Sequence, residues 1–259
     1  MIDLLRGRLR ELDRVAVAFS GGADSAFLAW VAHDTLGPDR VLAVTAISPS
    51  LAPEEAADCA ALAEEWGLRW LPVTTDELAR PGYVANGTDR CHHCKTELMD
   101  AVGPLAAAEG ATVVLGVNVD DLGDHRPGQQ AAGERGAVFP LVDAGFTKAA
   151  VRQASRELGL RTWDKPAAAC LASRIPYGTP VTVTTLTGVG RAEATLHRLG
   201  FGQVRVRHHG EVARVEVELG DLAEVVARRD EVVAAVKAAG YRWVTLDLEG
   251  FRSGNLNPI

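Results

Sequence analysis

The chain has 259 residues, of which 47% are hydrophobic, 24% charged and 5% aromatic, a globular composition long enough for one large domain or a domain plus a smaller module. Its 27 Lys and Arg stand against 34 Asp and Glu, a formal charge of −7, which argues against a free-standing nucleic-acid binder. No apolar run approaches the ~20 residues that span a bilayer, and Met1–Glu11 lacks the apolar core of a secretion signal, so a cytoplasmic protein is expected, with its four cysteines serving as thiols or ligands rather than disulfides.

Arg14–Phe19 reads as a short buried strand, Ala26–Thr35 as a helix and Arg40–Ile47 as a second strand. Pro53–Trp66 has Pro53 in its first turn and Glu54 and Glu55 near its positive end, which predicts a helix. Trp70–Val73 follows as a strand, Thr96–Glu109 as a helix and Thr112–Val117 as another buried strand. Strands separated by helices of this length favour right-handed crossovers, hence an α/β fold with a parallel sheet covered on both faces. Ligands in such sheets bind beyond the carboxyl ends of the strands, which places the informative loops after Phe19, Ile47 and Val117. The longest polar loop is read at Val119–Gly136.

Beyond Lys165 the pattern changes. Leu186–Leu199 reads as a helix, Gln203–His208 and Val212–Glu218 as strands, Asp221–Ala239 as one helix capped by Asp221 and stopped by Gly240, and Arg242–Leu248 as a strand. The expected organisation is therefore one domain over 1–170 and a smaller α+β module over 171–259.

The strongest single motif is Ser20-Gly21-Gly22-Ala23-Asp24-Ser25, set between a strand and a helix. Two glycines let the backbone turn tightly and aim successive N–H groups at an anion, and the helix N-terminus adds partial positive charge. Ser20 and Ser25 can donate to phosphate oxygens. Asp24 makes sense beside Mg²⁺ or as a capping group. No Gly-Lys-Ser/Thr follows, so this is not a Walker loop. Gly188-x-Gly190 is no dinucleotide fingerprint either, because Glu193 stands where the third glycine belongs.

The Ser20–Ser25 block resembles the pyrophosphatase loop of the ATP-pyrophosphatase (PP-loop) superfamily, which includes NAD and GMP synthetases and tRNA thiolases. Further motifs narrow the resemblance: Arg90-Cys91-His92-His93-Cys94-Lys95, Gly116-Val117-Asn118 with Asp120-Asp121, His125-Arg126-Pro127-Gly128, Trp163-Asp164-Lys165-Pro166, Cys170–Thr179, Arg205-Val206-Arg207 and Leu246–Asn255. Together they are similar to the LarE-type ATP-dependent sulfur transferases of nickel-pincer nucleotide biosynthesis. The resemblance implies a fold like the adenine nucleotide alpha hydrolases. It also implies a two-stage reaction: a pyridinium dicarboxylate mononucleotide is activated as an acyl adenylate with release of pyrophosphate, and sulfur then displaces AMP. ATP and Mg²⁺ are the implied cofactors, with Ser20, Gly21, Gly22, Asp24, Ser25 and Gly116 at the ATP and Asp24 at the metal. A sulfide donor and a homo-oligomer are implied partners, and no membrane.

Two sulfur sources occur in that family. In one, a protein cysteine gives up its own sulfur; in the other, three cysteines hold a [4Fe–4S] cluster whose fourth iron carries sulfide. Cys91 and Cys94 are one helical turn apart, and Cys170 lies near the domain junction. The position that matches the sacrificial donor is Ala169, which favours the cluster on Cys91, Cys94 and Cys170, with Cys170 as sacrificial donor the alternative. A CxxC pair can also be half of a zinc site, but no second CxxC exists. Cys59, among alanines, reads as a small buried hydrophobe. Lys95 can neutralise the adenylate or the cluster. Arg205 and Arg207, two apart on a strand, face the same side and suit a nucleotide phosphate or carboxylates. The resemblance adds Glu193 and Arg174 at the substrate and Glu216 near substrate or metal, although carboxylates on such elements commonly face solvent. A tRNA thiolase, an ammonia-using ligase and a non-catalytic nucleotide-binding module remain as other readings; the net charge, the missing zinc-ribbon cysteine pairs and the missing glutaminase domain speak against the first two.

Overall fold

A computed structural model describes residues 1–123, 127–166 and 169–252. It divides into two compact units, Met1–Arg80 with Asp89–Ala168 and Pro81–Thr88 with Ala169–Ile259. The first unit begins α1 (Ile2–Leu12), β1 (Val15–Ala18), α2 (Ala23–Leu36), β2 (Val41–Ile47), α3 (Pro53–Trp66), β3 (Trp70–Thr74). A single turn, α4 (Pro81–Val84), belongs to the second unit. The first resumes with α5 (Arg90–Ala108), β4 (Thr112–Leu115), α6 (Pro127–Glu134), α7 (Pro140–Asp143) and α8 (Lys148–Glu157). The second continues with α9 (Val183–Arg198), β5 (Val204–His209), β6 (Val212–Val217), α10 (Leu222–Ala227), α11 (Arg229–Ala238) and β7 (Trp243–Leu246).

In the first unit the strands are all parallel in the order β3-β2-β1-β4. The residues of β1 alternate between the two faces of the sheet. Val15 and Val17 pack with Leu5, Leu9, Phe27, Val31 and Phe146, whereas Ala16 packs with Leu42, Val44, Leu98 and Val102. Both faces are therefore buried under helices, as an all-parallel sheet requires. Strand succession moves outward from β1 to β3, then returns to β4 on the other side of β1. That reversal opens a crevice at the carboxyl ends of β1 and β4.

Several elements depart from the sequence reading, each for a local reason. Helix α5 starts at Arg90, not Thr96, so Cys91 and Cys94 lie in its opening turns; the Arg90–Lys95 stretch has no apolar periodicity to announce a helix. The polar stretch Val119–Gly136 is not all loop: it contains a 3₁₀ turn at Val119–Gly123 and α6, which opens on Pro127, a position where the missing N–H is harmless. Helix α1 escapes notice because its buried residues are only Leu5 and Leu9, four apart on one face. Helix α8 likewise buries only Val151 and Ser155.

The second unit has a three-stranded sheet in the order β5-β6-β7, antiparallel then parallel. Helix α9 starts on a reciprocal capping box between Thr182 and Thr185. Gly188 and Gly190 lie inside it as packing glycines: a Cβ on Gly190 would stand 3.1 Å from Leu171 Cδ1, and one on Gly188 3.4 Å from the Ala239 carbonyl. The single helix expected over Asp221–Ala239 is two, divided at Arg228. No glycine or proline breaks it; the Arg228 guanidinium donates to the Leu199 carbonyl at 2.8 Å and lies 5.5 Å from the Phe201 ring centre, a tertiary tie invisible in the local pattern. Gly240 has φ +110 and follows the end of α11 as expected.

Buried Asn86 fastens the Pro81–Thr88 segment to the Cys170–Thr179 block. Its Nδ2 donates to the carbonyls of Pro176 and Thr179, both at 2.8 Å, and of Ile175 at 3.3 Å, while its own carbonyl accepts from Gly178 N–H at 3.0 Å. Its backbone sits at φ 55, a region that asparagine enters more readily than most residues. Among the described residues no helix is long and apolar enough to cross a membrane.

Candidate functional site

The glycine-rich turn leaves β1 and enters α2 at the crevice. Gly21 adopts φ +67, a left-handed turn that a side chain would strain. Ser25 is buried and closes the turn: its hydroxyl donates to the Gly22 carbonyl at 3.2 Å, accepts from Ser20 N–H at 3.2 Å and lies 3.0 Å from Ser20 Oγ. Of the two serines expected to reach phosphate, only Ser20 has an exposed side chain; Ser25 shapes the loop. Gly116, past the end of β4, lets that strand close on α2, because a Cβ there would sit 2.8 Å from Ser25 N and 2.9 Å from Ser25 Cα. Both are backbone atoms, so neither can step aside.

Asp24 stands in the first turn of α2. Burial pushes its carboxyl above the ordinary carboxylate range and the neighbouring Asp121 pushes the same way, while the Asn118 side chain, Lys148 and Arg152 oppose them. A desolvated carboxylate at an anion-binding turn is the kind of group that a divalent cation relieves. Asp121 is buried, with Oδ1 3.0 Å from Lys148 Nζ and Oδ2 accepting from Asn118 N–H at 3.2 Å. Asp124, His125 and Arg126 lie outside the described residues.

The four cysteines divide by environment. Cys91 and Cys170 are exposed and Cys94 is half-buried, whereas Cys59 is buried. Burial drives the Cys59 thiol up to about 11, against a hydrogen bond from Thr45 and the charge of Lys165. The opening turns of α5 pack closely on α6: a Cβ on Gly128 would come within 2.8 Å of Lys95 Cγ and 2.9 Å of the Cys91 carbonyl. Lys95 is half-buried beside Cys94 on the same helix. In the second unit Cys170 occupies the N-cap of the 3₁₀ turn Leu171–Arg174. Among the described residues no three His, Cys, Asp or Glu side chains converge into a metal-binding group.

The charged residues of the second unit are far more buried than the sequence suggests. Arg174 is 3% exposed and Glu193 6%, joined by two parallel bonds at 2.9 Å, the bidentate geometry that guanidinium and carboxylate favour. The remaining Arg174 nitrogen donates to the carbonyls of Ala169 at 2.7 Å and Cys170 at 3.2 Å, so it clasps the cysteine-bearing turn. Glu193 also accepts from Val206 N–H at 2.8 Å. Glu216, fully buried, accepts from Arg207 Nε at 3.0 Å and Nη2 at 2.8 Å, and from Arg214 at 3.0 Å. The expectation that such carboxylates commonly face solvent is thus overturned for Glu193 and Glu216. Four arginines face two glutamates here, with Asp247 at 3.4 Å from Arg214. Burial first, then Arg174 and Arg207, depress the Arg205 guanidinium to about 10, against the pull of Glu193 and Glu216. It also lies 5.2 Å from the Phe251 ring centre. Ser253, Gly254 and Asn255 of the terminal motif lie outside the described residues.

A family model for NAD synthase matches residues 2–88, the stretch that contains β1, the glycine-rich turn and α2. An uncharacterized protein of Synechocystis sp. is 49% identical over 261 residues, covering 100% of this chain and 97% of its own. The pyridinium-3,5-bisthiocarboxylic acid mononucleotide synthase of Lactiplantibacillus plantarum is 40% identical over 250 residues, 96% of this chain and 91% of that one. The chain belongs to the LarE-type ATP-dependent sulfur transferases. A more distant uncharacterized protein of Methanocaldococcus jannaschii is 24% identical over 241 residues.

For a LarE-type enzyme, the motifs of the sequence include Lys165 and Gly128 without revealing what either packs against, and they leave Asn86 unmarked. Asn86-Gly87 is a turn signal, and nothing local announces that its amide reaches three carbonyls about ninety residues away. The difference among the cysteines can be measured. With a thiol at about 11, only about one Cys59 in a thousand is thiolate at pH 8. In native, metal-stripped protein an aromatic disulfide reagent is expected to titrate Cys91, Cys94 and Cys170 rapidly and Cys59 only after denaturant is added. Equal native reactivity at Cys59, read by mass spectrometry of the labelled peptides, would show that the thiol is not sealed under the glycine-rich turn.

Proposed function

We propose that this enzyme adenylates a carboxylate of pyridinium-3,5-dicarboxylate mononucleotide and converts it to a thiocarboxylate. The observation that carries the reading is 40% identity over 96% of the chain to the named synthase. In the first stage a substrate carboxylate oxygen attacks the α-phosphorus of ATP, and the bond to the β-phosphate breaks to release pyrophosphate. In the second a sulfur nucleophile attacks the acyl carbon, and the carbon–oxygen bond to AMP breaks. A carboxylate is a poor electrophile, and adenylation gives it a leaving group.

The N–H groups of the Ser20–Ser25 turn, the α2 N-terminus and the Ser20 hydroxyl bind the phosphates of ATP. Ser25 and Gly116 hold that turn in shape, and Asp24 would hold Mg²⁺, which offsets charge on the phosphates. In the second unit Arg205 takes the mononucleotide phosphate, within a frame that Arg174–Glu193 and Arg207–Glu216 keep rigid. Glu216 meets two arginines and serves that frame rather than a metal. Lys95 offsets negative charge at the adenylate or beside the thiolates.

Whereas Cys59 is sealed, exposed Cys91 and Cys170 and half-buried Cys94 are thiols of the kind that an iron–sulfur cluster takes as ligands. Cys91, Cys94 and Cys170 would hold it. Three thiolates on a [4Fe–4S] cluster leave one iron open to carry sulfide. A separate sulfide donor and assembly into a homo-oligomer belong to the same reading.

The test follows pyrophosphate release from ATP with the pyridinium nucleotide and, separately, with tRNA, alongside iron and acid-labile sulfide assays on anaerobically purified protein. Release with the nucleotide alone, thiocarboxylate product and about four irons per chain are expected. Release with tRNA alone would replace this reading with a tRNA thiolase.

A further inference from the structure

Lys165 belongs to a motif that the chemistry above leaves without work. Its side chain is 16% exposed, and its three ammonium donors meet three acceptors: the Gly21 carbonyl at 3.1 Å, Glu55 Oε2 at 2.8 Å and Asp58 Oδ2 at 2.6 Å. Glu55 and Asp58 are three apart on α3 and so share a face. Arg161 holds Asp58 from the other side at 2.7 Å. The Lys165 backbone is fixed as well, because Arg152 of α8 donates to its carbonyl at 2.9 Å and to that of Trp163 at 3.1 Å. An ammonium has three donors, so Lys165 is saturated by protein and is no ligand for phosphate itself.

Its place explains its use. In a planar trans peptide the carbonyl and the following N–H point in opposite directions. An ammonium that holds the Gly21 carbonyl therefore turns the Gly22 N–H the other way. The turn is pressed onto α3 at this point, since a Cβ on Gly21 would stand 2.9 Å from Cys59 Sγ and 3.7 Å from Lys165 Nζ. We infer that Lys165 is the positioning residue of the glycine-rich turn: braced by Glu55 and Asp58, it holds the Gly21–Gly22 peptide with its N–H aimed at the pyrophosphoryl end of ATP. The inference rests on the ATP-using reading and adds to it a residue 144 positions away in sequence.

The experiment measures binding of ATP, inorganic pyrophosphate and the pyridinium nucleotide to the full chain by calorimetry, in wild type, Lys165→Met and Lys165→Arg, each checked for folding by circular dichroism. Lys165→Met is expected to weaken pyrophosphate and ATP about tenfold, the scale of one charge-assisted hydrogen bond, and to leave the pyridinium nucleotide unchanged. In turnover the loss appears in the KM for ATP rather than the KM for the nucleotide. Lys165→Arg keeps its charge against Glu55 and Asp58, which protects folding, but a planar fork does not converge on the same three acceptors; it is expected to lose about threefold. Wild-type pyrophosphate affinity in either folded variant, or an equal loss for all three ligands, overturns the assignment. Wild-type protein that binds neither ATP nor pyrophosphate overturns the ATP reading itself, and the assignment with it.

Discussion

Glu216→Gln is expected to destabilise the second unit by about 3–5 kcal/mol, the cost of removing one partner from a buried ion pair. The carboxylate is fully buried and accepts three hydrogen bonds from Arg207 and Arg214. Glutamine has nearly the same shape, but it is neutral and offers one acceptor oxygen, so the buried Arg207 guanidinium loses its counter-charge, while half-buried Arg214 keeps Asp247. The damage should stay local. Hydrogen exchange at β5 and β6 amides is expected to accelerate while β1 and β4 of the first unit keep their protection. The companion Arg207→Met, Glu216→Leu removes both charges and is expected to lose less than Glu216→Gln alone, because no buried charge is left unmatched. A loss under about 1 kcal/mol in Glu216→Gln would place this pair in the energetic class of surface salt bridges and contradict its burial.

Cys170→Ala is expected to abolish thiocarboxylate formation, by at least about a thousandfold, while adenylate formation survives. In the proposed reaction the two stages use different groups: pyrophosphate release would depend on the glycine-rich turn and Asp24, sulfur delivery on thiols. A single burst of pyrophosphate without thiocarboxylate is the expected signature. The same assay on Cys91→Ala and Cys94→Ala separates the two sulfur sources. If the three thiols act together on a cluster, all three variants lose iron and product alike. If Cys170 gives up its own sulfur, Cys91→Ala and Cys94→Ala still make product, and wild-type Cys170 loses roughly the mass of H₂S in a single turnover.

Much of the first unit is legible because short-range pattern dictates it. Pro53–Trp66 forms a helix over that very span, since the proline start, acidic first turn and following glycine all lie within a few residues. Strand β1 and the turn after it are equally local: a short continuously buried segment, then Gly21, which takes the positive φ of the turn. Helix α5 is readable only from Thr96, where apolar spacing begins; its first turns rest on packing against α6, with Gly128 permitting the approach. The break at Arg228 has the same kind of origin, since its bond to the Leu199 carbonyl replaces the glycine or proline that a sequence reading looks for.

By itself the sequence determined the fold class of this protein, its family and the glycine-rich turn between β1 and α2. Those rest on local periodicity and on motifs whose residues are neighbours in the chain. Only the tertiary structure decided what the isolated charges do. Lys165 meets Gly21 across 144 positions, Arg174 meets Glu193 across 19, and Asn86 meets Thr179 across 93. A lysine or glutamate in sequence looks the same whether water or a partner solvates it. The difference appears only on folding, when a group removed from water must find an opposite charge or a hydrogen-bond partner wherever the chain brings one.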